Sequence, residues 1–168
     1  MKLALTGRPG IGKTTACLRI YEKLKNEIKI SGFVTKEVRE GGRRIGFKLV
    51  NLESGEEEWL AKVGEGKVKV GKYAVFVENL DSFLDSISMD SDMLIIDEVG
   101  PMELKSRKFV GFVEEVLDKD CVVLTIHYKS RHPLLEKIRR TFDVIVLTEE
   151  NRDRIVEEVV NLVRGGKS

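Results

Sequence analysis

Cysteine is scarce in this sequence: the 168 residues contain only Cys17 and Cys121. The two cysteines lie in separate apolar segments and lack the spacing of metal ligands. Both are therefore predicted to be reduced, buried thiols, and a disulfide is the less favoured alternative.

An excess of charge of either sign is also missing, because 29 basic residues offset 28 acidic ones. The resulting net charge of +1 gives no support for a nucleic-acid or anionic-membrane partner. No apolar run approaches the roughly 18 residues of a membrane span. The chain opens on a strand-like KLALT rather than a signal-peptide pattern, so we expect a cytoplasmic protein.

Repeats, low-complexity tracts and linkers are absent as well, so residues 1–168 are predicted to form a single domain with a frayed GGKS end. Apolar strands alternate with amphipathic helices, which predicts a three-layer α/β fold whose mostly parallel sheet is covered by helices on both faces. The predicted strands are 2–6, 58–63, 73–79, 93–96, 121–126 and 143–148. The predicted helices are 13–25, 80–88, 109–117, 132–142 and 151–163, the last of which is expected to bury Ile155, Val159 and Leu162.

Two alternating runs within residues 33–52 flank Gly41-Gly42, which predicts an antiparallel β-hairpin inserted in this fold. Pairing outward from the turn places Val38 opposite Ile45 and continues in the same register. The polar side chains of the hairpin could bind a partner, but a solvated face explains them, and no interleaved aromatic residues support nucleic-acid stacking. These side chains are Glu37, Arg39, Arg43 and Arg44.

The segment GRPGIGKT at 7–14 matches the phosphate-binding pattern G-x-x-x-x-G-K-[ST] (Walker A) and lies between a predicted strand and a predicted helix. Its glycines allow backbone N–H groups to turn toward a polyphosphate, and the helix start adds a positive dipole end. Lys13 is predicted to reach the β- and γ-phosphates, and Thr14 to offer its hydroxyl to Mg²⁺. A plain glycine turn is the alternative. The nucleotide-binding residues predicted here are Gly7, Arg8, Pro9, Gly10, Ile11, Gly12, Lys13, Thr14 and Thr15.

The segment MLIIDEVGPMEL at 93–104 places two adjacent carboxylates at the end of an apolar strand (Walker B). Asp97 is predicted to hold the Mg²⁺ shell, with a plain strand end as the alternative. Adjacent residues point in different directions, so Glu98 is predicted to activate the attacking water, with a solvated loop carboxylate as its alternative. Glu103 is expected to cap or pair in a loop after Gly100-Pro101, with a role in the site as the alternative.

Further polar residues are weaker candidates for the same site. Thr125 and His127 end the next strand and could sense the γ-phosphate, and Asn151-Arg152 could reach the base. An arginine could stabilise the transition state, although each candidate is more typical of a solvated helix. These arginines are Arg8, Arg107, Arg131, Arg139 and Arg140.

Six segments resemble, in this order, a family of small P-loop nucleoside-triphosphatases whose animal members are called cancer-related nucleoside-triphosphatase. The segments are TGRPGIGKTT, GFVTKEVREGGRRIGFKLVNL, VGKYAVFVENLDSF, IIDEVGPMEL, TIH and TEENRD. The resemblance covers nearly the whole chain and implies a RecA-like fold and Mg²⁺-dependent hydrolysis with little base preference. It places nucleotide-binding segments at Gly7–Thr14 and at Leu94, Ile95, Ile96, Asp97, Glu98, Val99, Gly100 and Pro101.

The predicted function is therefore hydrolysis of the β–γ phosphoanhydride of ATP, GTP, CTP and UTP, with Lys13, Asp97 and Glu98 as catalytic residues. A nucleotide or small-molecule kinase is an alternative, for which SRHPLLEKIRR is the only arginine-rich stretch that could form a lid. A nucleotide-dependent switch is another, since DEVG fits D-x-x-G, but no N-K-x-D is present to read guanine. A protein partner is left open.

Overall fold

Nine strands form one continuous sheet in the computed structural model, which describes residues 1–165. The strands are β1 (Lys2–Thr6), β2 (Ile30–Glu40), β3 (Arg43–Asn51), β4 (Glu57–Val63), β5 (Lys69–Val70), β6 (Tyr73–Val75), β7 (Met93–Val99), β8 (Val122–Ile126) and β9 (Asp143–Val146). Their order across the sheet is β5-β6-β4-β3-β2-β7-β8-β1-β9. Of the GGKS end that was expected to fray, Gly165 closes the last helix, and residues 166–168 lie outside the described residues.

The sheet has a parallel half and an antiparallel half, which meet at β2. Strands β2, β7, β8, β1 and β9 are parallel, whereas β3, β4, β6 and β5 continue from β2 as antiparallel neighbours. The predicted fold class is confirmed, and the antiparallel part is larger than the predicted hairpin because β4, β5 and β6 extend it.

Helices cover both faces of the sheet. They are α1 (Lys13–Leu24), α2 (Val77–Leu84), α3 (Arg107–Val116), α4 (Pro133–Thr141) and α5 (Arg152–Gly165). Apolar side chains of α1 and α5 form the core on one face, and those of α2, α3 and α4 form the core on the other. No helix within residues 1–165 combines the length and apolar character needed to cross a membrane. Both cysteines are free thiols, as predicted, and Cys17 is buried, but the prediction that Cys121 is buried is wrong because it is only half-buried.

Three local predictions are wrong. Leu162 was expected to be buried but is 65% exposed. On a helix with 100° per residue, the buried face of α5 is centred between Val156 and Val159, and Leu162 lies about a quarter turn away from that centre. Strand β6 ends at Val75, and α2 begins at Val77 instead of residue 80. Residues 77, 80 and 84 recur at helical spacing, and this pattern overrides the β propensity of the YAVFV run.

The hairpin exists with a different register from the one predicted. Pairs next to the turn match it, but Val38 lies opposite Gly46 rather than Ile45. Ile45 is the extra residue of a β-bulge, so the pairing beyond it shifts by one. The predicted apolar face is therefore broken, and Phe47, which now lies opposite Glu37, packs edge-on against Tyr73 at 5.3 Å between ring centroids.

The close pairing of β2 with β7 depends on Gly32. Its φ is +120°, and a Cβ there would lie 1.9 Å from the carbonyl oxygen of Ile95, so a side chain cannot be accommodated. Because β2 and β7 run parallel, their carboxyl ends meet at the same edge of the sheet. This pairing brings Thr35 on β2 next to Asp97 on β7.

Candidate functional site

The phosphate loop (Gly7–Thr14) connects β1 to α1. Gly7, Gly10 and Gly12 have φ values of +148°, +81° and +110°, which side-chain-bearing residues rarely adopt. No side chain caps the start of α1 at Gly12, which leaves the first backbone N–H groups of the helix available to an anion. The Lys13 ammonium lies across the loop and donates to the Gly7 carbonyl at 2.7 Å. The loop and its lysine are therefore arranged as an anion-binding site.

Three donors from three different elements hold the Asp97 carboxylate, which is only 1% exposed. The Thr14 hydroxyl and the Thr35 backbone N–H donate to Oδ2 at 2.7 and 3.1 Å, and the Thr125 hydroxyl donates to Oδ1 at 2.8 Å. Burial raises the pKa of Asp97, and the three hydrogen bonds together with the charge of Lys13 oppose that rise. Asp97 is thus fixed in one orientation beside the Thr14 hydroxyl.

A β-bulge separates the directions of the two adjacent carboxylates. Ile96 pairs with Leu124 and Val99 pairs with Ile126, so Asp97 and Glu98 together lie opposite Thr125 alone. Glu98 has a φ of +88°, and no other non-glycine residue within residues 1–165 has a positive φ. Such a conformation costs about 1–3 kcal/mol and is typical of functional sites. Its backbone N–H donates to the Thr125 hydroxyl at 2.8 Å, which holds the bulge in place.

Glu98 faces an open cleft, while Asp97 faces a cluster of three threonines, Thr14, Thr35 and Thr125, called here the threonine cluster. Burial and then the neighbouring Asp97 charge raise the pKa of Glu98 to about 7, and Lys13 opposes them. One Glu98 carboxylate oxygen lies so close to Gly100 that a Cβ at residue 100 would be 2.5 Å from it. Glu98 is therefore a carboxylate whose proton affinity suits a general base near neutral pH.

The cleft has a volume of about 1080 Å³ and runs from the phosphate loop to the antiparallel half of the sheet. Near the loop the cleft is lined by Lys13, Thr14, Thr35, Glu98, Glu103 and His127. The antiparallel strands line it with the apolar or aromatic side chains of Phe47, Val50, Leu60, Val70 and Tyr73 and with the charged side chains of Lys36, Glu37, Glu57 and Lys72. Arg44 also lines the cleft, with its guanidinium over the rings of Phe47 and Tyr73.

His127 lines the cleft as a neutral ring. Its Nδ1 accepts from the Lys129 and Ser130 backbone N–H groups at 3.3 and 3.1 Å, and the Ser130 hydroxyl lies at 2.7 Å. A nitrogen that accepts from N–H groups carries no hydrogen, so the ring hydrogen is on Nε2. Burial and then Lys13 lower the pKa of His127, which keeps the ring neutral. His127 thus offers an N–H donor.

Other predicted residues lie away from the phosphate end of the cleft. Leu94, Ile95 and Ile96 are at most 1% exposed in the two cores, so they can support Asp97 but cannot touch a ligand. Arg8 pairs with Glu149 at 3.0 Å on the opposite side of the loop. There a second cleft of about 340 Å³ is lined by Arg8, Ile11, Tyr128 and residues 146–150. Of the remaining candidate arginines, Arg107, Arg131, Arg139 and Arg140 do not line the larger cleft within residues 1–165.

Two residues near the site were not predicted in the roles that they occupy. Thr35 binds Asp97 through its backbone and also donates its hydroxyl to the Asp97 carbonyl at 3.1 Å. Arg152, which was a candidate for contact with the base, donates to the Ile11 carbonyl at 3.0 Å and braces the phosphate loop from α5. Asn151 and Thr148 bond to each other just before α5. The Thr148 backbone N–H donates to the Asn151 side-chain oxygen, and the Asn151 backbone N–H donates to the Thr148 hydroxyl. Thr35 lies within β2, two residues beyond the last β2–β7 pair, and no local pattern in the sequence indicated its role.

The oxygen atoms of Thr14 and Asp97 suit a hard divalent cation. Mg²⁺ prefers hydroxyl, carboxylate and water oxygens and is usually bound by one or two protein groups together with substrate phosphates. Within residues 1–165, no group of three or more histidine, cysteine or acidic residues could hold a metal ion by itself, without oxygens from a bound phosphate. The donor set therefore fits Mg²⁺ that arrives with a polyphosphate.

Comparisons with known proteins agree with this geometry. A family profile described as NTPase matches residues 2–160. The chain is 61% identical over 165 residues to "Nucleoside-triphosphatase THEP1" of Archaeoglobus fulgidus, covering 98% of this chain and 100% of that protein. It is 46% identical to the protein of the same name from Methanocaldococcus jannaschii, with 99% of each chain covered.

Two solved structures are also similar. THEP1 from the hyperthermophile Aquifex aeolicus gives a TM-score of 0.84 at 35% identity, covering 96% of this chain and 98% of that one. A human cancer-related nucleoside triphosphatase gives a TM-score of 0.80 at 34% identity, with 99% of each chain covered.

Proposed function

Because this chain belongs to the NTPase family and is a nucleoside-triphosphate hydrolase, we propose that it cleaves the β–γ phosphoanhydride of several nucleoside triphosphates with Glu98 as the base that activates water. The observation that carries this proposal is the bulge at Asp97-Glu98, which directs one carboxylate to the threonine cluster and the other to the cleft. In a kinase a carboxylate in this position would accept the proton of a substrate hydroxyl, so a test with and without an acceptor separates the two functions.

The phosphate loop and Lys13 bind the β- and γ-phosphates in this proposal. The Thr14 hydroxyl and the Asp97 carboxylate, which are hydrogen-bonded at 2.7 Å, would hold Mg²⁺. Bound Mg²⁺ would neutralise phosphate charge as it develops during transfer. Thr35 and Thr125 keep Asp97 in position, and Arg152 keeps the loop in position.

Glu98 accepts a proton from the attacking water as the water oxygen forms its bond to the γ-phosphorus. The bond from that phosphorus to the bridging oxygen breaks, and the nucleoside diphosphate leaves with the electron pair. His127 offers its Nε2–H to a γ-phosphate oxygen, a contact that favours a nucleotide with three phosphates. A pKa of about 7 lets Glu98 exchange its proton with solvent after each turnover.

The second cleft supports a weak preference among bases. It offers the guanidinium of Arg8 and the ring of Tyr128, and planar groups of this kind stack on any base. We therefore propose that ATP, GTP, CTP and UTP are all substrates. The cytoplasmic location and the single-domain organisation expected from the sequence stay predictions.

The proposed function is tested by measuring phosphate release from each of the four nucleoside triphosphates, with Mg²⁺ or with EDTA, and with or without nucleoside acceptors. We expect Mg²⁺-dependent release from all four nucleotides without any acceptor. Turnover that requires an acceptor would favour the kinase alternative, and slow release from one nucleotide would favour the switch.

Replacing Gly100 with alanine is expected to lower kcat by about tenfold, a loss of about 1.4 kcal/mol in transition-state stabilisation. The new Cβ would lie 2.5 Å from a Glu98 carboxylate oxygen, and the flexible end of Glu98 can move away to relieve the clash. Stability should therefore change little while the base is displaced. Phosphate release and the melting temperature are to be measured together.

Gly111→Ala is the matched control, because a Cβ at this exposed position of α3 meets no atom within 4 Å. Alanine should stabilise the helix by up to about 1 kcal/mol and leave kcat unchanged. An unchanged kcat in Gly100→Ala would show that the position of the Glu98 carboxylate does not limit the reaction.

A further inference from the structure

Glu103 is a buried acidic residue that lacks a partner. It lies in the 3-10 turn Glu103–Lys105 and is only 2% exposed, and its Oε2 has no hydrogen-bond partner within residues 1–165. A buried polar atom without a partner costs about 1–3 kcal/mol, so such atoms are rare and need an explanation. The expectation that Glu103 caps or pairs in a loop is wrong.

The turn that carries Glu103 is held rigidly. Leu104 donates its backbone N–H to the Gly100 carbonyl at 3.0 Å, and Ser106 donates its own to the Glu103 carbonyl at 3.1 Å. The Ser106 hydroxyl donates to Asp81 and accepts from the N–H of Phe109 in α3. Glu103 is therefore placed at the cleft by an anchored backbone.

Glu103 lines the same cleft as Glu98, and its surroundings there favour the uncharged form of its carboxyl group. An ionised carboxylate would be a third negative charge near Asp97 and Glu98, buried and without a cation of its own. Burial and then the charge of Glu98 raise the pKa of Glu103 well above its usual value. An uncharged carboxyl group carries an O–H donor, and residues 1–165 supply no acceptor at Oε2, which leaves the cleft that Glu103 lines as the source of one.

We propose that Glu103 is a second catalytic carboxyl group, which donates a hydrogen bond to the attacking water while Glu98 accepts the proton of that water. The proposal rests on the function proposed for Glu98. The water then has one lone pair bound by Glu103, one hydrogen bound by Glu98 and its other lone pair free to attack the γ-phosphorus. Glu103 keeps its own proton throughout.

The test compares Glu103→Leu, Glu103→Met and Glu103→Gln with wild type in phosphate release from ATP and Mg²⁺. The apolar variants should lower kcat about tenfold or more, because a hydrogen bond to the reacting group is lost, and KM should stay within about twofold. Their melting temperatures should equal or exceed that of wild type, since they remove an unpaired polar atom. The amide of Glu103→Gln is an uncharged donor and should restore most of the lost activity. Glu114→Leu on the exposed face of α3 is the control.

A wild-type kcat in either apolar variant would overturn the proposal, and so would a Glu103→Gln variant as slow as Glu103→Leu. The Glu98→Gln background separates this result from a failure of the proposed function. If both residues act on one water, Glu103→Leu should cause little further loss in that background. An equal loss of kcat in both backgrounds would contradict the proposal that Glu98 and Glu103 act on the same water. Full activity of the Glu98→Gln single variant would instead contradict the role of Glu98 as the base.

Discussion

Replacing Glu98 with glutamine is expected to lower kcat for phosphate release by about 10²–10⁴-fold, the range that general-base catalysis supplies. Glutamine keeps the shape of the side chain but cannot accept a proton from water. The phosphate loop, Lys13 and Asp97 are untouched, so the affinity for the nucleotide should stay close to that of wild type. Initial rates at saturating ATP and Mg²⁺, together with titration of a non-hydrolysable ATP analogue, measure the two effects separately.

The same variant should be at least as stable as wild type above neutral pH. Folding raises the pKa of Glu98 from 4.5 to about 7, so the folded state binds the proton more tightly. The stability that this proton binding contributes is complete below pH 4.5 and is lost as the pH rises through about 7. A neutral glutamine does not have this loss.

The control for both measurements on Glu98→Gln is the surface variant Glu114→Gln. A wild-type kcat in Glu98→Gln would rule out Glu98 as the base.

The pH dependence of kcat/KM follows from the same residue, because this parameter reports the pKa values of the free protein. Glu98 must be ionised to accept a proton, so kcat/KM should rise with pH and level off above the Glu98 pKa of about 7. The residual activity of Glu98→Gln should lack this inflection. Rates over roughly pH 5.5–8.5 in a buffer of constant ionic strength check the prediction. A wild-type profile that is flat over this range would contradict it.

Replacing Lys13 with alanine is expected to abolish measurable turnover, a loss of about 10³-fold or more. The ammonium of Lys13 is the cation that faces the phosphate loop and opposes the rise in the pKa of both Asp97 and Glu98. Its removal takes away phosphate binding and also favours protonation of the base. Both kcat and the affinity for the nucleotide should therefore fall, in contrast to Glu98→Gln.

The fold of Lys13→Ala should remain intact, because the lost hydrogen bond to the Gly7 carbonyl is worth about 1 kcal/mol. Lys105→Ala, at an exposed position, is the matched control. Turnover by Lys13→Ala at the wild-type rate, in a protein with a wild-type melting temperature, would mean that the phosphates bind elsewhere.

Local patterns in the sequence were sufficient to predict the glycine-rich turn between β1 and α1 and the apolar part of β7, the strand that carries Asp97. The reason is that a phosphate-binding turn needs glycines at fixed spacing, and a central parallel strand needs a continuous apolar run. The same reasoning predicted a helix from residue 132, and His132 indeed caps α4, since its Nδ1 accepts from the Leu134 N–H. Each of these features depends on residues that are close in sequence.

Features that depend on distant parts of the chain were not predicted. Different directions for Asp97 and Glu98 were predicted, but the bulge that produces them was not, because it forms opposite Thr125, a residue 27 positions from Glu98. The hydrogen bond from Thr35 to Asp97 requires β2 to pair with β7, and the burial of Glu103 requires the helices on one face to be packed. Sequence periodicity indicates which residues are buried, but not which strand lies beside which or where an extra residue enters a strand.

The most direct test of the proposed reaction is hydrolysis of ATP by the wild-type protein in water enriched in oxygen-18, followed by mass spectrometry of both products. If water that Glu98 activates attacks the γ-phosphorus, the label will enter inorganic phosphate, ADP will stay unlabelled, and no acceptor will be needed. Label in ADP, or phosphate released without label, would contradict hydrolysis of the β–γ bond by water.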